Sequence, residues 1–349
     1  MKHTSPYKQH LASLAAFVGL ALGILFFRHT VIDGADEFPS RPISHVVVWS
    51  AGGGTDIANR VVSAEMAKLL GQTVNVTNRP GGVAGSLGMS YVSQRPADGY
   101  TWVGISESCV TAGVMGGWQE RMDIWYPMII GGSPSVISVS SESSINSLTD
   151  LIAQAKQRTI NAAAGGSGSI HHLNLLAFER GVDAPFKFVP FPGSAPAQIA
   201  AVTQEVHVVI TTLAEQQQLI SAGKLKPLAM LNESEYAFSE NLIIPSAFVD
   251  FPSLSEHLPV FQSIGMAISD DAPDEVKALL SEAFTQALQT PTVKTWADNN
   301  YFSLSGRTGD AAKEEFARLE SLFTWTLNDM GVTKISPEAL AIARPDASE

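Results

Sequence analysis

The stretch from residue 46 to residue 60, VVVWSAGGGTDIANR, constrains the fold more than any other part of the chain. Residues 46–49 are apolar, mostly β-branched and too few for a helix, so they predict a buried strand. Apolar residues then recur at helical spacing as far as Gly71, which fits a helix C-cap. Thr55 or Asp56 is the expected N-cap. A strand, a glycine turn and a helix therefore follow one another.

The glycine turn predicts a binding site for an anion. Its three consecutive glycines, Gly52 to Gly54, allow close approach of the backbone to a ligand and positive φ angles. Free N–H groups at the start of the helix can then face an anion. Nucleotide-binding loops fit poorly, because Ile57 stands where the dinucleotide pattern needs its third glycine and no Gly-Lys-Ser/Thr sequence occurs. A carboxylate is the expected occupant, and a turn that binds nothing is the alternative.

The charge balance excludes one class of partner. The 349 residues include 22 Lys and Arg against 34 Asp and Glu, a net charge of -12. A nucleic-acid partner needs a basic face, so none is expected. An anionic ligand has to be attracted by local backbone dipoles against the field of the whole chain. The length is sufficient for two lobes, each with its own core.

The first 37 residues predict export. Positive residues precede the uncharged apolar run 11–27, which is the layout of a secretory signal. No good cleavage site follows the run, so residues 1–37 are expected to form either a signal peptide or an N-terminal membrane anchor. The single cysteine, Cys109, allows no internal disulfide and is expected to be a small buried hydrophobic residue.

Alternating strands and helices predict two α/β lobes with parallel strands. Strands are expected at 74–77, 102–105, 136–139, 160–164, 186–190, 206–211 and 227–231, and helices at 148–155, from 170 or 171, and at 197–203, 215–222, 274–288 and 310–330. The polar stretch 140–147 indicates a crossing between lobes. Lobe 1 is expected to comprise residues 38–139 plus 229–349, and lobe 2 residues 140–228.

A second glycine-rich turn, residues 165–169, opens a helix that begins near Ile170 or His171 and carries His171 and His172 in its first turn. Adjacent residues of a helix point in different directions, so the two histidines make a poor chelate and no metal is expected. His172 is open between a donor to a carboxylate and a structural histidine. Two roles fit Glu107 equally: a solvated loop acid, or a group that selects an amine-bearing ligand.

Together, residues 46–60, 78–88, 98–101, 165–173, 189–196 and 222–225 resemble the periplasmic substrate-binding proteins of tripartite tricarboxylate transporters, also called the Bug family. The resemblance covers roughly residues 38–330. It implies an α/β, type II periplasmic-binding-protein fold, in which two α/β lobes close on a small carboxylate in the cleft between them. It also implies the integral-membrane permease subunits of such a transporter as partners, no cofactor, a monomer and a periplasmic location.

In that family, backbone N–H groups of loops, ordered water and hydroxyl side chains bind the ligand. Carried over residue by residue, the resemblance implies a ligand site formed by Gly53, Gly54, Thr55, Asp56, Gly166, Ser167, Gly168, Ser169, His172, Phe191, Gly193 and Ser194. Asp56 is open between a ligand contact and a helix N-cap.

The chain departs from the family pattern where the ligand would lie. Ala163-Ala164 replaces a Gly-Ser pair, Phe191-Pro192 replaces Tyr-Lys, Ser263 replaces a tryptophan, and the loop after Asn78 is slightly longer. These positions tune which carboxylate fits, so the sequence does not predict the ligand.

Two other functions are alternatives to a receptor. A serine hydrolase would use Ser167 or Ser169 as nucleophile and His172 as base, but Ser169 breaks the G-x-S-x-G pattern and no orienting acid is indicated. The chain is therefore not expected to be an enzyme. A sensor for a two-component signalling system would use the same binding chemistry as a transport receptor, and it stays open as an alternative.

Overall fold

The computed structural model describes residues 38–256 and 262–345. The expected signal peptide or anchor, residues 1–37, lies outside the described residues. No helix within the described part of the chain is both long and apolar enough to cross a membrane. The described residues form two separate sheets and a small hairpin.

The first sheet has six strands. They are β1 (Ile43–Val47), β2 (Val74–Asn78), β3 (Thr101–Ser106), β4 (Trp125–Gly132), β12 (Ile264–Ser269) and β13 (Ser303–Leu304). Their order is β13-β4-β12-β3-β1-β2. Strand β1 pairs in parallel with β2 and β3, whereas β12 is antiparallel to β3 and β4.

The second sheet has five strands and repeats this arrangement. They are β5 (Ser135–Ser140), β6 (Asn161–Ala164), β7 (Lys187–Pro190), β8 (Val208–Thr212) and β9 (Leu225–Met230). Their order is β7-β6-β8-β5-β9, with β6 parallel to both neighbours and β5 antiparallel to both of its own. The hairpin consists of β10 (Tyr236–Ser239) and β11 (Leu242–Ile244).

Helices connect the strands. They are α1 (Gly54–Leu70), α2 (Ser86–Ser93), α3 (Leu148–Ala155), α4 (Ile170–Val182), α5 (Ser194–Val202), α6 (Leu213–Ser221), α7 (Ala247–Asp250), α8 (Asp274–Gln289), α9 (Pro291–Asn299) and α10 (Gly309–Asp329). Apolar clusters cover both faces of each sheet, and Cys109 lies buried in one of them, as expected.

The ends of α1 test two sequence predictions. The expected C-cap, Gly71, has φ 67 and is confirmed. The expected N-cap is wrong, because Gly53 caps the helix instead of Thr55 or Asp56. Gly53 is extended and its carbonyl oxygen accepts the first helical hydrogen bond, from Ile57 N at 3.0 Å. The helix thus starts inside the glycine turn, and the Gly54 N–H has no partner within α1.

The chain passes from the first sheet to the second before residue 139, and it returns to the first sheet after residue 229, so both crossings differ from the expected lobe boundaries. Strand β5 pairs with β8 and β9, so all three belong to the five-stranded sheet. The chain leaves the first sheet after Gly132 and returns to it at Ile264. Below, lobe 1 denotes residues 38–132 and 262–345, and lobe 2 denotes residues 135–256.

Gly132, the last residue of lobe 1 before the chain enters lobe 2, should tolerate no side chain, so even alanine should destabilise the fold. A Cβ atom on Gly132 would overlap the carbonyl oxygen of Gln262, which belongs to the backbone and cannot swing away. We expect Gly132→Ala to lower the free energy of unfolding by about 2 kcal/mol or more. At Gly71 a Cβ atom would meet nothing within 4 Å. Gly71→Ala should therefore lower the free energy of unfolding by only about 1 kcal/mol, the cost of a positive φ angle for alanine. Urea unfolding measures both, and equal losses would contradict the packing argument.

Candidate ligand site between the lobes

The carboxyl ends of strands from both sheets meet at one cavity. Lobe 1 contributes the turn after β1 and the loop after β3, and lobe 2 contributes the turns after β6, β7 and β8. In α/β sheets, ligands bind outside the carboxyl ends of strands, where the strand order reverses. Strands β1 and β6 stand at such reversals, each between two parallel neighbours.

The cavity is small, about 20 Å³. Its wall consists of Trp49, Gly53, Gly54, Thr55, Ser106, Glu107, Ser108, Gly165, Ser169, His171, Gly193, Ser194, Glu215 and Gln262. Of the residues suggested by the sequence, Gly53, Gly54, Thr55, Ser169, Gly193 and Ser194 belong to this wall. Asp56, Gly166, Ser167, Gly168, His172 and Phe191 do not.

The carboxylate of Glu215 is the most fully hydrogen-bonded group of the site. Its Oε1 accepts hydrogen bonds from Gly54 N at 3.0 Å and from Ser194 Oγ at 2.7 Å. Its Oε2 accepts one from Thr212 N at 2.9 Å and lies 3.3 Å from His171 Nε2. Only 4% of the side chain is exposed. Four donors therefore surround one buried carboxylate.

Three of these donors stand at helix starts. Gly54 and Ser194 are the first residues of α1 and α5, and Thr212 is the N-cap of α6. Helix N-termini carry a partial positive charge and backbone N–H groups without helical partners. Backbone N–H groups at two of these helix starts and the Ser194 hydroxyl at the third converge on one point, which forms an anion site. The anion that occupies it is a side chain of the protein itself.

His171 and Glu215 form a buried ion pair. Burial alone would raise the pKa of Glu215, but the charge of His171 and the hydrogen bonds from His171, Ser194 and Thr212 outweigh it and lower the pKa to about 2. Burial alone would lower the pKa of His171, but Glu215, and then Glu107, raise that pKa above its usual value. Glu215 is thus ionised well below neutral pH, and its charge favours the protonated form of His171.

Glu107 is a second buried acid of the wall, not a solvated loop acid. Its Oε1 accepts a hydrogen bond from Ser108 Oγ at 2.8 Å, and its Oε2 accepts one from Ser263 N at 2.5 Å. Burial raises the pKa of Glu107 to about 7, against the effect of these hydrogen bonds. At neutral pH this carboxyl group is therefore close to its titration midpoint.

Hydrogen bonds across the cavity join the lobes. The bond from Gly54 N to Glu215 is one of them. A second runs from Ile170 N in lobe 2 to Ser108 Oγ in lobe 1, at 2.9 Å. A third runs from Thr111 Oγ1 in lobe 1 to the Gly168 carbonyl oxygen in lobe 2, at 2.6 Å. Both glycine turns are therefore held by the opposite lobe.

With the fold and this site defined, comparison with known proteins identifies the family. The profile described as tripartite tricarboxylate transporter family receptor matches residues 58–314. The chain belongs to this family. Protein BugT of Bordetella pertussis is 29% identical over 230 residues, which are 64% of this chain and 70% of that protein. The resemblance suggested by the sequence is confirmed.

Solved structures confirm the fold class. The periplasmic binding protein BugD superposes with a TM-score of 0.77 at 21% identity, over 85% of this chain and 99% of that one. An R. palustris protein solved with adipate gives a TM-score of 0.77 at 22% identity, over 85% and 99% of the two chains. At these identities the likeness shows the two-lobe binding-protein fold. Family and fold are those of solute receptors, not of enzymes.

In this receptor, Asp56 supports the first glycine turn from outside the cavity wall. Its carboxylate accepts hydrogen bonds from Gly52 N at 2.9 Å, Arg60 Nε at 2.8 Å and Asn78 Nδ2 at 2.8 Å. Burial would raise the pKa of Asp56, but these three hydrogen bonds lower it, and the bond from Arg60 has the largest effect among them. Asp56 thus fixes the turn to α1 and to the end of β2.

The two histidines of α4 have different environments. His172 Nδ1 accepts a hydrogen bond from Gly168 N at 3.2 Å, and its ring stacks on Phe188 at 4.0 Å. Burial lowers the pKa of His172 to about 4, so this ring is neutral. Adjacent helical side chains diverge by about 100°, so only His171 faces the cavity. Ser169 Oγ accepts from the backbone N–H of His172, so it caps the helix and is not paired with an imidazole.

The most important residue that sequence reasoning missed is Glu215. The prediction began a helix at residue 215, whereas α6 begins at Leu213, after the N-cap Thr212. The sequence Thr212-Leu213-Ala214-Glu215 fits the capping box S/T-x-x-E, in which the glutamate folds back toward the helix start. That pattern would have placed the Glu215 carboxylate at the N-terminus of α6. Trp49, the last residue of the predicted buried strand, lies in a core cluster as expected; it also lines the cavity and donates from Nε1 to Ser106 Oγ at 3.1 Å.

The raised pKa of Glu107 predicts a pH dependence of stability. The folded protein retains a proton on Glu107 that the unfolded chain, with a pKa near 4.5, releases. The free energy of unfolding should therefore fall as the pH rises from about 4.5 to about 7, and then level off. Glu107→Gln removes this titration, so relative to the wild type it should gain about 1–3 kcal/mol between pH 5 and pH 7.5.

Urea unfolding at both pH values measures this difference. Glu240→Gln, at an exposed glutamate, is the control and should follow the wild type. Parallel pH profiles of the wild type and Glu107→Gln would refute the raised pKa.

Proposed function

We propose that this chain is an extracytoplasmic solute receptor that binds a small organic carboxylate in the cleft between its lobes. The observation that carries the proposal is that backbone N–H groups at the starts of α1 and α6, and the Ser194 hydroxyl at the start of α5, converge on one carboxylate. Such a site binds anions through backbone groups that need little reorganisation. Family membership and the related fold of a protein solved with adipate support the same class of ligand.

The receptor would deliver its solute to the integral-membrane permease subunits of a tripartite tricarboxylate transporter. This step rests on the family, whose members are transporter receptors. Such delivery requires a periplasmic location, which agrees with the export signal expected in residues 1–37. We further propose that the receptor acts as a monomer and without a cofactor. Within residues 38–256 and 262–345, no group of three His, Cys, Asp or Glu side chains is placed to hold a metal ion.

A side chain that fills the glycine turn should weaken carboxylate binding. A Cβ atom on Gly54 would lie 2.7 Å from Oε1 and 2.9 Å from Cγ of Glu215, so a valine there would occupy the anion site. We expect Gly54→Val to weaken carboxylate binding at least about tenfold, since it blocks a backbone donor and fills the cavity. Ser93→Val places the same side chain on the exposed face of α2 and should bind normally.

Native mass spectrometry of the periplasmic protein, followed by thermal shift with a panel of carboxylates, identifies the ligand, because a ligand of the native state raises Tm. Isothermal titration then compares the variants. Normal binding by Gly54→Val would show that the turn does not hold the solute. Absence of any carboxylate ligand, together with ester hydrolysis that Ser167→Ala abolishes, would replace the receptor by the hydrolase.

A further inference from the structure

We propose that Glu215 is a built-in competitor for the solute: its carboxylate occupies the anion site between the lobes, and a carboxylate solute binds by displacing it. The inference rests on the proposed function and adds a residue that sets affinity and specificity. It follows from the contacts of Glu215, from the small volume left in the cavity, and from the rotatable side chain that carries the carboxylate.

The contacts of Glu215 are those that a bound carboxylate would make. One oxygen accepts from the N–H of Gly54 and the hydroxyl of Ser194, and the other accepts from the N–H of Thr212 beside His171. Backbone N–H groups at helix starts, a hydroxyl and a protonated imidazole are the donors that bind a carboxylate well. Every one of them is directed at the side chain of Glu215.

The remaining space in the cavity is too small for a solute. Its volume of about 20 Å³ is little more than the roughly 10–15 Å³ that one water molecule needs. A carboxylate with even a short carbon chain therefore requires the lobes to separate, the Glu215 side chain to move, or both. Separation breaks the Gly54–Glu215 hydrogen bond but leaves the Ser194 and Thr212 bonds, because those residues lie in the same lobe as Glu215.

Departure of the Glu215 carboxylate removes the acceptor of the Thr212 N–H but leaves the backbone–backbone hydrogen bonds of α6 in place. The residue lies in the first turn of α6, and a flexible side chain links its carboxylate to the helix. A rotation about the side-chain bonds would free the Gly54 N–H and the Ser194 hydroxyl for another carboxylate. The displaced group would stay near the cavity, where Glu107 is already an acid. Removal of Glu215 should therefore raise the affinity for dicarboxylates without an ammonium group more than the affinity for monocarboxylates.

Chemical rescue tests the occupied anion site without knowledge of the natural solute. Glu215→Ala removes the carboxylate and leaves room for an acetate ion. We expect the variant to have a lower Tm than the wild type and acetate to raise its Tm in a saturable manner. Acetate should raise the wild-type Tm much less, because Glu215 competes with it there, and neutral acetamide should not raise the Tm of Glu215→Ala.

Glu179→Ala is the matched control. Glu179 is a partly buried glutamate that accepts a single hydrogen bond, from Phe186 N, and it lies outside the cavity wall. Acetate should not rescue this variant. If acetate stabilises Glu215→Ala no more than Glu179→Ala, the proposed anion site is refuted.

Affinity provides the second test, with a variant of the same shape. Glu215→Gln keeps the side-chain volume but loses the negative charge that pairs with His171, so it should leave the site more readily. We expect succinate and adipate to bind Glu215→Gln about tenfold more tightly than the wild type, since an occupied site reduces apparent affinity by its free fraction. Isothermal titration measures this ratio, with L-aspartate as the ammonium-bearing comparison.

The outcomes separate the two proposals. Equal affinities of wild type and Glu215→Gln for a bound carboxylate refute the competitor and leave the receptor intact. A selective loss of L-aspartate binding in Glu215→Gln also refutes it, because Glu215 would then be a direct ligand of the ammonium group. Acetate rescue without binding of any panel carboxylate to either protein refutes the carboxylate receptor, and with it the competition, and leaves only an anion site filled by Glu215.

Discussion

The contact between the Gly54 N–H and the Glu215 carboxylate determines how the rest of the site is arranged. It joins the start of α1 in lobe 1 to the first turn of α6 in lobe 2. A side chain on Gly54 would collide with Glu215, and one on Gly53 would reach Ser194 Oγ at 3.0 Å. The glycine turn is therefore required by the closeness of the opposite lobe as well as by its own bend.

The two sheets explain why such a contact can form. Each has a strand flanked by parallel neighbours, β1 in lobe 1 and β6 in lobe 2, and both strands end in a glycine turn that leads into a helix. Parallel strands direct their carboxyl ends to one edge, so the helix starts collect there. When the two edges face each other, donors from both lobes surround one group. The anion site is thus a product of topology, and side chains only refine it.

The sequence predicted the parts of this arrangement that depend on local chemistry. The glycine turns, the C-cap Gly71 and most strands and helices follow from short patterns, and the fold class followed from their combination. The sheet membership of β5 and β9 did not, because it depends on pairing with β8 across long stretches of chain. Local sequence also could not choose between His171 and His172, because the rotation of α4 against lobe 1 decides which ring faces the cavity.

The electrostatics of the cleft fit an anion receptor only when the backbone is counted. The chain carries a net charge of -12, and two buried glutamates line the cavity, with His171 as their nearest cation. Side-chain charges alone would repel a carboxylate. The charge of His171, the Ser194 hydroxyl and N–H groups at two helix starts reverse this at one point, where Glu215 stays ionised despite burial. A solute carboxylate there exchanges one anion for another, so binding depends on how tightly the protein holds its own carboxylate.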